Sequence, residues 1–149
     1  MLDALARRAA TLAVAESLTG GMVGERITTV PGASAAFRGG VIAYATDVKN
    51  AVLGVDGHLL DSEGAVHPEV ASQLATGVRR LLGATYGLAL TGVAGPDPQD
   101  GRPVGTLFVA VAGPDDVRVE SPVLPASGRA ETRERATTEA LRLLLDVVG

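Results

Sequence analysis

The chain has 149 residues, of which 46% are hydrophobic, 20% are charged and 3% are aromatic, and its formal net charge is −4. This length suits one domain with a full core, and the composition excludes a disordered chain. The negative charge and the shortage of aromatic side chains argue against a nucleic-acid partner, and no apolar run is long enough to span a bilayer. Without cysteine there is no thiolate chemistry, and we expect one cytoplasmic domain over residues 1–149.

The predicted elements alternate between helix and strand over the first two thirds of the chain. They begin with a helix over 3–9, a buried strand over 11–17, a helix opened by a glycine pair, a turn at 31–34, a doubly buried strand over 39–45, and helices over 47–53 and 67–83. A strand over 86–95, a loop over 96–103, a hairpin of strands within 104–113 and 117–124, and a helix over 129–147 follow. This order predicts a three-layer α/β/α fold whose mixed, mostly parallel sheet has one antiparallel strand.

Segments that follow the predicted strands are the candidate ligand site, because ligands bind such sheets at the carboxyl ends of the strands. Four segments qualify: "ESLTGG", "YATDVK", "LTGVAGPD" and the loop before "VGT". Glycines in the first and third of them allow backbone N–H groups to approach an anion, although ordinary turns explain glycines equally well in a chain with 19 of them. The four segments are candidates for one shared crevice.

Lys49 is the only lysine of the chain, which otherwise uses arginine. If Thr46 caps the helix that follows, Lys49 stands in its first turn, where the helix dipole disfavours an ammonium group. A buried lysine can lose its proton and act as a base, whereas arginine stays protonated. These features favour a catalytic lysine; the alternative is a solvated surface residue.

A lysine base needs a nucleophile, and Ser17 and Ser34 are the serines at element ends on the expected ligand side. Each of them is equally suited to be a helix N-cap. Tyr44 could relay a proton or orient the lysine, or could simply be a half-buried strand residue. His58 and His67 are isolated, so no metal site and no cofactor are predicted.

Taken in order, these segments resemble the C-terminal domain of CinA, the competence- and damage-inducible protein, a family that also occurs as stand-alone nicotinamide-nucleotide amidases. The matching pieces include "AESLTGG" (15–21), "PGASAAFRGGVIAYATDVK" (31–49), "LTGVAGPD" (90–97) and "PVGT" (103–106). The resemblance implies a three-layer α/β/α domain that deamidates nicotinamide mononucleotide to nicotinate mononucleotide and ammonia, in pyridine-nucleotide recycling. The chain departs from the family pattern at "SGR" (127–129), where Gly-Asp-Arg is usual, at His67, where serine is common, and at Arg102, where lysine is usual.

By position, the resemblance implies that Ser34 is the nucleophile and Lys49 its base, with Tyr44 beside them. It also implies substrate-binding residues in two loops and on the last helix: Glu16, Ser17, Thr19, Gly20 and Gly21 in the first loop, Thr91, Gly92 and Gly95 in the second, and Arg133 at the phosphate.

Two alternatives to this function stay open. One is a non-catalytic nucleotide-binding module of a competence or DNA-damage response, which would need no deprotonated lysine. The other is an amidase for another pyridine or small amide. In each case the partner is a small molecule, and the small residues of the helix over 67–83 make a homodimer plausible.

Overall fold

The computed structural model describes all residues from Met1 to Gly149. Five strands form one sheet between two layers of helices. In chain order the elements are α1 (Leu2–Arg7), β1 (Leu12–Glu16), α2 (Met22–Thr28), a 3₁₀ turn (Ala33–Ala35), β2 (Phe37–Ile42), α3 (Thr46–Leu53), α4 (Gly57–Glu63), α5 (Pro68–Leu81), β3 (Tyr86–Gly92), β4 (Leu107–Ala112), β5 (Val117–Glu120) and α6 (Arg129–Val148). No helix among them is both long enough and apolar enough to cross a membrane.

The strand order in the sheet is β2-β1-β3-β4-β5. β1 runs parallel to both of its neighbours, and β4 runs antiparallel to both of its own. Four strands therefore point the same way and β4 alone is reversed. The predicted mixed sheet with one antiparallel strand is confirmed.

Each face of the sheet has its own hydrophobic core. Along β1, Leu12 and Val14 face the layer formed by α1, α2 and α6, while Ala13 and Ala15 face the layer formed by α3, α4 and α5. Small residues keep the second layer close to the sheet: at Gly87 a Cβ atom would collide with the Ala75 carbonyl on α5. This alternation explains why a chain with few aromatic residues can fill two cores.

β2 differs most from the sequence prediction. The run over 39–45 was expected to be buried on both faces, but the strand spans Phe37–Ile42 and alternates between exposed and half-buried positions. The prediction is wrong because β2 is an edge strand, which only one neighbouring strand covers. Beyond its end, Ala43 is buried and Tyr44 is 58% exposed.

α4 was not predicted, and several boundaries shift. Its sequence gives a weak signal because Leu60 is its only buried residue, although the Asp56 side chain caps it by accepting the His58 N–H at 2.8 Å. β4 begins at Leu107, three residues later than predicted, because Gly105 has a positive φ of 91° and leaves no room for a side chain.

Candidate functional site

The carboxyl ends of β1, β2 and β3 meet at one edge of the sheet. Glu16, the last residue of β1, pairs in register with Ile42 on one side and Leu90 on the other. The segments that follow these three strands border a cavity of about 140 Å³. Its lining residues are Ser17, Leu18, Tyr44, Gly92, Val93, Ala94, Gly95, Asp97, Gln99 and Arg129.

Lys49 reaches this edge from α3 and is only 1% exposed. The alternative that Lys49 is a solvated surface residue is therefore wrong. The helix cap is Ala45 rather than the expected Thr46, which places Lys49 at the fourth position of α3. Its Nζ lies 2.6 Å from the Ala43 carbonyl oxygen, 3.1 Å from the Tyr44 carbonyl oxygen and 3.2 Å from Ser17 Oγ.

Burial lowers the pKa of Lys49 from 10.5 to about 8, and the negative charge of Asp100 opposes this shift. A neutral amine has two N–H groups and one lone pair. When Lys49 is protonated, Nζ donates to all three oxygens. When it is neutral, the two carbonyl oxygens can accept its two N–H groups, which leaves the lone pair for the proton on Ser17 Oγ. The three neighbours of Nζ therefore suit a lysine that accepts a proton from Ser17.

Ser34 lies near the amino end of β2, on the opposite side of the sheet from the strand ends that border the cavity. It is exposed on the 3₁₀ turn that precedes β2, whereas Lys49 follows the carboxyl end of β2. The strand between them has six residues and spans roughly 20 Å. Ser34 borders a separate cavity, and its hydroxyl group makes no hydrogen bond to Lys49. The structure does not bring the expected Ser34–Lys49 pair together; the serine beside Lys49 is Ser17.

The hydrogen bond between Lys49 and Tyr44 uses the backbone oxygen of Tyr44 and not its hydroxyl group. Its hydroxyl group accepts a hydrogen bond from Arg129 Nη2 at 2.8 Å, and Arg129 Nη1 donates to the Gly95 carbonyl at 2.7 Å. The expected relay through the Tyr44 hydroxyl group is absent from this geometry. Tyr44 instead forms part of the cavity wall with Arg129.

Glu16 holds the first loop in place instead of facing the cavity. Its carboxylate is 2% exposed and accepts four hydrogen bonds, from Thr19 Oγ1 and from the backbone N–H groups of Gly21, Val23 and Gly24, at 2.7 to 3.0 Å. Three of these donors are N–H groups at the start of α2, where a negative charge is favourable. Glu16 and Thr19 are therefore a buried scaffold that fixes the backbone next to Ser17.

Arg133 supports the same loop from α6. Its guanidinium group donates to the Leu18 carbonyl at 3.0 Å and to the Thr19 carbonyl at 2.7 Å. Gly20 and Gly21 have φ values of 59° and 106°, a region that favours glycine, and they carry the chain from Thr19 into α2. Arg133 was expected at a phosphate, but it does not line the cavity, and two of its donors bind these backbone oxygens.

The residues expected in the second loop have two different roles: one supports the fold, and the others line the cavity. Thr91 is buried, and its hydroxyl group donates to the Ala65 carbonyl at 2.8 Å, away from the cavity. Gly92 and Gly95 line the cavity, as expected of them, and a Cβ atom at Gly92 would collide with the Thr106 carbonyl.

Unpaired backbone N–H groups border the cavity as well. Those of Leu18, Ala94 and Gly95 donate no hydrogen bond within the chain. Backbone N–H groups on the wall of a cavity that a serine also lines can bind the oxyanion that forms when the serine attacks a carbonyl carbon.

Three polar side chains on the cavity wall were absent from the residues expected by position: Asp97, Gln99 and Arg129. A signal for Arg129 exists in the sequence, because it stands four residues before Arg133 and therefore on the same face of α6. No group of three or more histidine, aspartate or glutamate side chains lies close enough together to hold a metal ion.

Known proteins match this chain along nearly its whole length. The model of the CinA C-terminal domain matches residues 1–148. CinA-like proteins of Frankia casuarinae and Gemmatimonas aurantiaca are 55% and 49% identical to it, over 99% and 95% of this chain. The match covers 33% of each of these relatives, so the chain spans about a third of their length.

Solved structures show the same fold. The competence/damage inducible protein CihA from Agrobacterium tumefaciens has a TM-score of 0.95 at 29% identity, over 99% of this chain and 91% of that one. The competence damage-inducible protein A (ComA) from Klebsiella pneumoniae has a TM-score of 0.91 at 27% identity, over 95% of this chain and 88% of that one. The chain therefore belongs to the CinA C-terminal domain family.

Proposed function

We propose that this domain is a serine amidase that hydrolyses the carboxamide of nicotinamide mononucleotide, with Ser17 as nucleophile and Lys49 as base. The observation that carries the proposal is the contact between Ser17 Oγ and the Nζ atom of a buried lysine, at 3.2 Å, on the wall of a cavity. Burying a cation is unfavourable, and a module that only binds a ligand would not need this lysine to be neutral.

The reaction begins when neutral Lys49 takes the proton from Ser17 Oγ, which attacks the carboxamide carbon. The unpaired N–H groups of Leu18, Ala94 and Gly95 are available to bind the oxyanion. The Lys49 ammonium then gives its proton to the leaving nitrogen, and ammonia departs from the acyl-enzyme. Lys49, neutral again, removes a proton from water, and the hydroxide attacks the acyl carbon. The ester bond to Ser17 Oγ then breaks, the Lys49 ammonium returns the proton to Ser17 Oγ, and nicotinate mononucleotide leaves.

The charges on the cavity wall suit a substrate that is both cationic and anionic. Asp97 and Arg129 line the same cavity and form no ion pair with each other. Nicotinamide mononucleotide carries a positive pyridinium ring and a negative phosphate. Arg129, whose guanidinium group can bind phosphate with two donors, replaces Arg133 as the phosphate residue of the proposal.

The test is release of ammonia from nicotinamide mononucleotide by the purified protein and by Lys49→Arg. Arginine keeps a positive charge but cannot accept the serine proton, so we expect turnover to fall by about a hundredfold or more. Calorimetry on the same two proteins measures nucleotide binding. Binding without turnover in the native protein would favour the nucleotide-binding module, and turnover of other amides alone would move the substrate to that class.

A further inference from the structure

The loop between β3 and β4 contains a tight turn whose tip includes Asp100. Gln99 and Arg102 exchange two backbone hydrogen bonds, of 3.1 and 2.8 Å. The two residues between them, Asp100 and Gly101, have positive φ values of 50° and 70°. Asp-Gly at two such positions is the favoured sequence of a type I′ turn. This turn fixes where the Asp100 carboxylate points.

That carboxylate fastens the turn to a distant part of the chain. Asp100 Oδ2 accepts hydrogen bonds from the N–H groups of Ala65 at 2.8 Å and Val66 at 3.3 Å. Both residues are buried, and Gly64 before them leaves room for the carboxylate only because it has no side chain. The Ala65 carbonyl in turn accepts the Thr91 hydroxyl group on β3. One carboxylate thus ties the loop that carries Asp97 and Gln99 to the body of the domain.

The same carboxylate acts on Lys49. The groups that contact Nζ are Ser17 after β1 and the carbonyl oxygens of Ala43 and Tyr44 after β2, while Asp100 on the β3–β4 loop acts on it only through its charge. Asp100 is the charged group whose field reaches Lys49 strongly enough to raise its pKa against the effect of burial. On the cavity wall itself the other charged side chains are Asp97 and Arg129.

We propose that Asp100 is a positioning residue of the site: through its two hydrogen bonds to the Ala65 and Val66 N–H groups, it holds the loop that carries Asp97 and Gln99 on the cavity wall. In addition, its negative charge favours the protonated state of Lys49. The inference rests on the proposed amidase for its effect on turnover, but both of its parts can be measured without turnover. Asp100 lies outside the set of groups that line the cavity. A loop residue therefore adjusts the strength of the base while it holds the wall.

Two substitutions separate the effect of the Asp100 charge from the effect of its two hydrogen bonds. Asp100→Asn keeps an oxygen for the Ala65 and Val66 N–H groups, removes the charge, and suits a positive φ. Asp100→Gly removes both charge and acceptor and keeps the turn, since glycine adopts positive φ freely. Asp115→Asn, in the exposed β4–β5 turn, is the control for loss of one negative charge.

The single lysine permits a direct measurement of the electrostatic effect of Asp100. Protein made with ¹³C-labelled lysine gives one side-chain NMR signal, whose pH titration is the titration of Lys49. We expect a pKa near 8 in the native protein and in Asp115→Asn, and a lower pKa in both Asp100 variants. The acid limb of the pH profile of kcat/KM should shift to lower pH by as much as the Lys49 pKa falls. An unchanged Lys49 pKa in Asp100→Asn would overturn the electrostatic part.

Amide hydrogen exchange measures how far the hydrogen bonds of Asp100 hold Ala65 and Val66. We expect exchange at Ala65 and Val66 to accelerate about tenfold or more in Asp100→Gly and to change little in Asp100→Asn. KM, or the calorimetric Kd, for nicotinamide mononucleotide should rise about tenfold in Asp100→Gly alone. Unchanged exchange in Asp100→Gly would overturn the positioning part. If the native protein releases no ammonia, the amidase proposal fails, while the NMR and exchange results still decide the role of Asp100.

Discussion

Among single residues, Lys49 combines two properties that oppose each other: it is buried, and it has an amine that is ordinarily charged at neutral pH. Burial lowers its pKa to about 8, so about a tenth of the molecules hold it neutral at pH 7. Two backbone carbonyl oxygens and Ser17 surround the amine. A neighbourhood with one hydroxyl group and two acceptors is suited to proton transfer between Lys49 and Ser17.

Arg129 provides a prediction at the residue scale. In Arg129→Gln the cationic contact to the phosphate is lost, so KM for nicotinamide mononucleotide should rise about tenfold. KM for nicotinamide riboside, which has no phosphate, should change little. Steady-state kinetics with both substrates measures the ratio, and Arg135→Gln, an exposed arginine paired with Glu131 on the same helix, is the control. An equal loss with both substrates would mean that Arg129 only supports Tyr44 and Gly95.

The sequence pointed to Lys49, the proposed base, but not to the serine that contacts it. A single lysine among arginines pointed to Lys49 without any knowledge of the fold. Ser17 and Ser34 both stand at element ends, and the resemblance favoured Ser34. Topology decides between them, because Ser34 precedes β2 and lies at the amino edge of the parallel strands, whereas Ser17 follows β1 at the carboxyl edge. The bonds of Glu16, Thr91 and Arg133 depend on three-dimensional contacts that no local pattern reveals.

At the scale of elements, the junction between β1 and α2 organises the site. Glu16 ends the strand, and its carboxylate binds N–H groups at the start of the helix, so Ser17 is held between two rigid elements. The alternation of strands and helices was readable from the sequence because buried strands and amphipathic helices have distinct periods. The sequence did not reveal α4, because this helix is short and has a single buried residue. It did not reveal the exposure of β2 either, because that depends on the position of the strand at the edge of the sheet.

Glu16→Gln tests this junction. A glutamine has one acceptor oxygen, and its NH₂ group would face the N–H donors of α2, so buried groups lose their partners. We expect the free energy of unfolding to fall by about 2–4 kcal/mol. Urea unfolding measures it, with Glu25→Gln as a control on the exposed side of the same helix, where a change within about 0.5 kcal/mol is expected. Equal stabilities of the two variants would show that the Glu16 bonds contribute little.

For the whole molecule, the buried amine links stability to pH. Lys49 has a pKa near 8 in the folded protein and 10.5 as its ordinary value, so between these pH values the unfolded chain binds the proton more tightly. The free-energy penalty of burying the charged Lys49 amine is fully present below pH 8 and disappears as pH rises through 10.5. It amounts to about 3 kcal/mol at neutral pH. The fold therefore tolerates a destabilising group at this site.

Lys49→Met removes that group and fills a similar volume. We expect the variant to lose turnover and, at pH 7, to be more stable than the native protein by up to about 3 kcal/mol. The difference should shrink as pH rises from 8 towards 10.5, because native Lys49 is then neutral. Urea unfolding of both proteins across this range measures it. A stability difference that does not vary with pH would contradict a shifted lysine pKa.

The most direct measurement compares Ser17→Ala with Ser34→Ala for release of ammonia from nicotinamide mononucleotide, with circular dichroism to confirm that both variants fold. The geometry predicts that Ser17→Ala loses turnover by about a thousandfold or more, since the nucleophile is gone, and that Ser34→Ala retains it. Loss in Ser34→Ala with full activity in Ser17→Ala would contradict the assignment of Ser17 and Lys49 as the reacting pair.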